Sequence, residues 1–353
     1  NKEIFEQLII EDFEGFKKSH FNKDVSNLPS SLTYLRFGWS FNQDVSNLPP
    51  SLTHLIFGYW FNQDVSNLPP SLTHLKFGFS FNEDVSKLPQ NLIHLTFGTF
   101  FNQDVYILPN SITHLTFGNN FNQDVSVLPH SLIHLTFGLC FNKDVSVLPH
   151  SITRLTFGDN FNQDVKSLPS NLTHLTFGWN FNQDVKSLPY NLTHLTFGYC
   201  FNQDISQLPK SLTHFSEHYN HDLSRLPQNI THLFLGKYFK QHYNVPSNIK
   251  YLKLNCNNSY IINNLPNSII ELELGDCFNL QIDNLPTSIK KLVISGNLFY
   301  QNLNCLPDSI EELELPYYKK RILNIPSNLK KIICHKNYAY KDDFATLEVK
   351  TYV

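Results

Sequence analysis

Apolar residues return along this chain on a fixed beat. Between Phe21 and Asn220 the same order of apolar and polar positions repeats ten times in units of 20 residues, with no insertion. In the unit that starts at Phe161 the apolar positions are Phe161, Val165, Leu168, Leu172, Leu175 and Phe177. Leu175 and Phe177 alternate with His174 and Thr176, which is the period of two of a half-buried strand. The predicted strand sends Leu175 and Phe177 inward and His174 and Thr176 to the other face. Phe161, Val165 and Leu168 must then fold back beneath the strand to reach the same core. One strand and two turns use up the unit and leave too few residues for a helix on the return path. Pro169, in the middle of that path, fits an extended or single-turn connection. Gly178 ends the strand, where a tight turn is expected.

Self-similarity at a fixed period predicts a solenoid whose units share one continuous core, since a unit this small cannot bury its apolar face alone. A proline marks the register at every twentieth residue from Pro29 to Pro209. It recurs with looser spacing at Pro227, Pro246, Pro266, Pro286, Pro307 and Pro326. The organisation is therefore read as an N-terminal helical cap (1–20), ten regular repeats (21–220), six divergent repeats (221–334) and a C-terminal cap or tail (335–353). Ile4, Phe5, Leu8, Ile9 and Phe16 supply the helical spacing behind the first of these. The register slips in the tenth repeat, where Glu217 and His218 replace the inward Phe and the Gly.

Within each unit L-T-H-L-T-F has the L-x-x-L-x-L form of a leucine-rich-repeat strand. The fold class expected is a leucine-rich-repeat-type β solenoid of about 16 repeats, with parallel strands on one face and short turns, 3₁₀ or extended segments on the other. The full unit, F-N-Q-D-V-x-x-L-P-x-S/N-L-T-H-L-T-F-G-x-x, resembles the FNIP repeat, a leucine-rich-repeat variant of amoebae and of the giant viruses that infect them. The resemblance covers 21–216 closely and 223–334 loosely. It departs from the family pattern in lacking two residues between the Phe-Asn and Leu-Pro elements. Many proteins of this family carry an F-box that docks on a ubiquitin ligase while the repeats hold the substrate. The resemblance thus implies a non-catalytic protein-interaction scaffold, and more narrowly a substrate receptor in ubiquitin targeting, of host proteins if the chain is viral. Residues 1–20 are too few for an F-box, so a ligase component would be reached through a segment ahead of Asn1. The L-P-x-x-L-x-x-L-x-L order also resembles bacterial effectors, some of which are ubiquitin ligases with a Cys-x-Asp motif. This chain has no Cys-x-Asp, and that activity is not carried over.

Composition narrows the partner classes. A net charge of −3 with only 16% charged residues gives no electrostatic case for nucleic acid or an anionic membrane. No apolar run approaches the ~20 residues that span a bilayer. The six cysteines are too dispersed for a C-x-x-C motif and read as free thiols of a reducing, cytoplasmic compartment. Ser, His and Asp occur as repeated columns, not as one constellation, and no phosphate loop or metal spacing appears, so neither an enzyme nor a cofactor is expected. Near-identical units of low charge also suit a self-associating structural protein, as a homo-oligomer or array component.

Columns of the repeat supply the candidate sites. The most variable follows the strand: Trp39, Tyr59 and Phe79 in successive units, with Trp60 and Phe100 one position further on. Clustered exposed aromatics mark contact surfaces, so these five are candidate binding residues. His54, His74 and His94 open a histidine column on the strand face and are candidates beside them. That column reads as a metal-capturing or pH-sensitive stripe, or as a surface residue copied by unit duplication. A threonine column opens with Arg36, Ile56 and Lys76. The Asn column from Asn22 is expected to form a ladder. The Asp column from Asp24 stacks carboxylates ~4.8 Å apart, which repel unless Asx-type bonds, solvent or calcium relieve them. In the divergent repeats Glu271, Lys291, Glu312 and Lys331 alternate in sign, which predicts lateral salt bridges.

Overall fold

The computed structural model describes residues 20–217 and 222–352. The N-terminal cap expected over 1–20 lies outside them, apart from His20. Chain contacts divide the protein into two compact units, Asn1–Leu192 and Thr193–Val353.

In the first unit, each repeat contributes one short strand. These are β1 (Tyr34–Arg36), β2 (His54–Ile56), β3 (His74–Lys76), β4 (His94–Thr96), β5 (His114–Thr116), β6 (His134–Thr136), β7 (Arg154–Thr156) and β8 (His174–Thr176). Neighbours pair in parallel with an offset of one whole repeat, so Leu115 of β5 lies beside Leu135 of β6. Every side chain therefore stacks on its own copy. The six apolar positions are buried as the pattern predicts: Phe121, Val125, Leu128, Leu132, Leu135 and Phe137 are at most 4% exposed. Phe117 and Phe121 stack at 3.7 Å between ring centroids, and each lies over its copy in the next repeat at 5.6 and 6.1 Å. The result is a lattice of phenylalanines along the whole unit. No helix occurs on the return path of these repeats; a turn closed by Ile112 N–H to Pro109 O at 3.2 Å stands where the proline was expected to forbid one.

The polar columns are satisfied in two different ways. Each Asn side chain reaches the next repeat, with Asn122 N–H donating to Asn102 Oδ1 at 2.9 Å and Asn142 N–H to Asn122 Oδ1 at 2.9 Å. The Asp side chains instead turn back on their own loops wherever Ser or Lys stands two residues on. Ser46 N–H and Ser46 O–H donate to the two carboxylate oxygens of Asp44 at 2.9 and 2.7 Å, and these bonds hold the Asp44 carboxyl below its ordinary range. Asx bonds relieve the column, and at Asp164 and Asp184 a lysine two residues on adds a countercharge at 2.9 and 3.5 Å. The glycine column serves a purpose the sequence did not reveal. Among the described residues no glycine has a positive φ. What requires glycine is the close approach of neighbouring repeats: a Cβ on Gly118 would stand 1.7 Å from the carbonyl oxygen of Gly98.

The second unit has the same parallel architecture, built on β9 (His194–Thr196), β10 (His214–Glu217), β11 (His232–Leu235), β12 (Tyr251–Leu254), β13 (Glu271–Leu274), β14 (Lys291–Ile294), β15 (Glu312–Leu315), β16 (Lys331–His335) and β17 (Glu348–Tyr352). Looser spacing admits a 3₁₀ turn at Leu223–Arg225 and the one-turn helix α1 (Ser259–Asn263), which Asn258 caps by accepting Ile261 N–H at 3.1 Å. The alternating charges do pair across strands. Glu312 lies between Lys291 and Lys331 at 3.5 and 3.1 Å, and Lys253 meets Glu273 at 2.6 Å. β17 adds a strand past the last proline-marked repeat.

Two core substitutions test this packing. Phe121→Ala should lower stability by about 3–5 kcal/mol, because a fully buried ring leaves a cavity in a lattice that cannot collapse. Gly118→Ala adds only a methyl group, yet it should also lower the urea midpoint followed by circular dichroism. A midpoint for Gly118→Ala equal to that of the parent would disprove the close backbone stack.

Candidate interaction surface

At the end of each strand of the first unit the chain passes through the glycine column and emerges at the variable position. The segment there has a backbone ladder of its own. Trp60 N–H donates to Trp39 O at 3.1 Å, Ser80 N–H to Tyr59 O at 2.9 Å, and Phe100 N–H to Phe79 O at 2.9 Å. With the backbone held in register, the rings must stack. Trp39 and Tyr59 lie 4.3 Å apart at 2° between planes, and Tyr59 and Phe79 are 4.3 Å apart at 8°. Trp60 meets Tyr59 edge-on at 4.7 Å, and Phe100 leans on Phe79 at 4.6 Å. All five aromatic candidates are thus brought into one cluster, in which Trp39, Trp60 and Phe100 stay 40%, 51% and 46% exposed.

Beside the stack runs a groove of about 590 Å³ lined by Trp39, Tyr59 and Phe79 together with Arg36, Ile56 and Lys76. Gly58, Gly78, Gly98 and Gly118 also line it, so part of its surface is bare backbone. Arg36, Ile56 and Lys76 were legible as departures from the threonine column, but nothing in the sequence said that they share a groove with the aromatics. The groove ends where Thr99 and Asn119 replace the rings.

The histidine candidates sit elsewhere. His54, His74 and His94 lie at the start of their strands, five residues before the aromatic column, and none of them lines the groove. Their rings stack at 4.1 and 4.4 Å. The rings of His54 and His74 are tied to the threonine before them, as in His74 Nδ1 and Thr73 Oγ1 at 2.9 Å, whereas Ile93 stands before His94. Thr73 Oγ1 also lies 3.2 Å from Thr53 O, so one hydroxyl links the imidazole to the backbone of the preceding repeat. Rings within 10–14° of parallel aim their lone pairs side by side, whereas ligands of one metal ion must converge. Among the described residues no group of three or more His, Cys, Asp or Glu is placed to hold a metal ion. Burial and then neighbouring imidazoles lower the His74 and His114 values, and in the second unit the same causes lower His214 to about 4.

This geometry defines a class: a repeat scaffold of the leucine-rich type, with a core of self-stacked side chains. The FNIP Repeat family matches in overlapping segments from 21 to 216 and again from 242 to 318, and the chain belongs to that family. It is 43% identical to CroV588, a circular LRR protein of a giant virus, over 90% of its own length, with a TM-score of 0.67. It spans about half of that protein, covering 52% of it. More distant likenesses are to YopM from Yersinia enterocolitica (21% identity, 88% of this chain and 75% of that one, TM-score 0.45) and to the functional domain of InlJ from Listeria monocytogenes (17%, 91% and 71%, 0.40). No curated protein sequence matches significantly. No helix among the described residues is long and apolar enough to cross a membrane.

The histidine stripe makes stability depend on pH. A histidine held below its ordinary 6.5 takes up its proton more readily in the unfolded chain, so stability is lost as pH falls from 6.5 toward about 4, where His214 titrates. The lowered Asp carboxylates act in the same sense, but only below 3.8. Melting temperatures should therefore drop between pH 6.5 and 4.5. Replacing His74, His114 and His134 with Gln should flatten that drop, and an unaltered pH slope would show that the stripe does not cause it.

Proposed function

We propose that this protein is a non-catalytic scaffold that binds a protein partner through the aromatic groove bordered by Arg36 and Lys76. One observation carries the reading: five aromatic side chains are locked in a single cluster, and three of them are at least 40% exposed. Apolar clusters left open on a folded protein mark contact surfaces, and Trp and Tyr dominate the binding energy of interfaces. The backbone ladder adds to this, since rings that are already fixed lose little freedom on binding. A more specific form of the proposal is a cytoplasmic substrate receptor in ubiquitin targeting, of host proteins where the gene is viral; the support for that form is the family resemblance. Replacing Trp39, Tyr59 and Phe79 together with Ala should weaken binding of a captured partner by about a hundredfold while leaving the circular dichroism spectrum intact. Parental affinity in the triple variant would remove the groove from consideration.

A second reading, self-association, draws on a different surface. Ile107, Val127 and Val147 occupy one column in adjacent repeats and are 65%, 57% and 58% exposed. The same column holds Asn27, Asn47 and Asn67 in earlier repeats. If copies join through this stripe, sedimentation should show concentration-dependent assembly that the triple change to Asn abolishes. A monomer at every concentration would remove this reading.

A further inference from the structure

The second unit carries a pocket of its own, at a break in the backbone ladder. After β12, β13 and β14 the ladder runs one residue past each strand. Asn255 N–H donates to Leu235 O at 2.9 Å, Gly275 N–H to Leu254 O at 2.8 Å and Ser295 N–H to Leu274 O at 3.0 Å. Proline holds the same place after β15, and Pro316 has no N–H to give to Ile294 O. The register between β14 and β15 ends at Val293 and Glu314, one pair short of the four that join β12 to β13 and β13 to β14. A pocket of about 530 Å³, with Pro316 in its wall, lies at this break. That volume falls within the range of about 300–1,000 Å³ typical of small-molecule sites.

The apolar lining is built from tyrosines. Tyr318 O–H donates to Gln301 O at 3.2 Å and Tyr338 O–H to Lys320 O at 2.7 Å, so two buried rings are fixed in the wall. Tyr317 also lines the pocket, but at 56% exposed it leaves ring surface open to a ligand. The polar lining is of two kinds. Asn297 and Asn337 bring side-chain amides, each both a donor and an acceptor. Lys319 and His335 bring donors. His335 Nδ1 accepts Asn337 N–H at 3.1 Å, which leaves the proton of the neutral ring on Nε2. A ligand matched to this set has hydroxyls for the amides, an anionic group for the ammonium and the imidazole, and a ring face that can lie on Tyr317. An aromatic carboxylate lacks the hydroxyls, and a neutral sugar lacks the anion. We propose that the pocket binds a sugar acid, with its carboxylate toward Lys319 and His335, its hydroxyls toward Asn297 and Asn337, and its apolar ring face on Tyr317.

Saturation-transfer NMR titrations of the full chain with five probes test this. The probes are D-galacturonic acid, D-glucuronic acid, their neutral parents galactose and glucose, and phenylacetate. At least one sugar acid should bind, about tenfold or more tightly than its neutral parent, because only the acid makes a charge-assisted bond to Lys319. Phenylacetate should bind more weakly than that acid. Lys319→Ala should bring the acid down to the level of its parent, and Tyr317→Ala should weaken acid and parent alike. Both side chains are exposed, so neither change should alter the circular dichroism spectrum. Equal binding of acid and parent, tighter binding of phenylacetate, or no binding of either acid would each overturn the sugar-acid assignment, and all three are read on the parent protein, where misfolding plays no part. An affinity for the acid that Lys319→Ala leaves unchanged would overturn it as well.

Discussion

One constraint governs this protein: a parallel ladder with an offset of one repeat places every side chain against its own copy. Parallel strands pair about 4.8 Å apart, so whatever stands at a position must tolerate a copy of itself at that distance. Phenylalanine does so by stacking, and the Phe117–Phe121 pairs extend into a lattice. Asparagine does so because its carbonyl accepts an N–H from the next repeat while its own N–H is taken by the repeat before. Glycine is required where two backbones pass so close that a Cβ would meet a carbonyl oxygen.

The same constraint decides what happens to charge. Like charges at strand spacing repel, and the chain meets the problem in three ways. Asp44 and its counterparts turn their carboxylates into their own loops. The histidines pack ring against ring, and burial followed by neighbouring imidazoles lowers His74, His114 and His214 toward the uncharged form. The divergent repeats abandon identity and alternate Lys with Glu, so that Glu312 lies between two lysines. The aromatic groove follows from this rule by exception. Trp39, Tyr59 and Phe79 differ from one another but share the flat shape that stacking demands, and Arg36 and Lys76 keep like charges apart by placing Ile56 between them.

The sequence alone determined the period, the fold class and the inward positions, because a 20-residue repeat with six apolar residues has one economical way to bury them. Leu175 and Phe177 could be placed in the core, and His174 on the open face, from alternation alone. It also made the Asn ladder, the Asx turns and the Lys–Glu pairing legible as consequences of stacking. What only the tertiary structure decided depends on where the chain goes after the strand ends. It showed that the turn opening at each glycine, as where Phe121 N–H donates to Gly118 O at 3.4 Å, needs no left-handed backbone, and that glycine is required by the close approach of an atom twenty residues away. It separated the histidine stripe from the aromatic cluster, because four residues of chain, the rest of the strand and the glycine among them, lie between them. It turned Arg36, Ile56 and Lys76 from irregularities in a threonine column into the wall of a groove. Period reveals which side a residue faces; which columns face each other across a groove depends on the path of the backbone between them, and that path is set by packing.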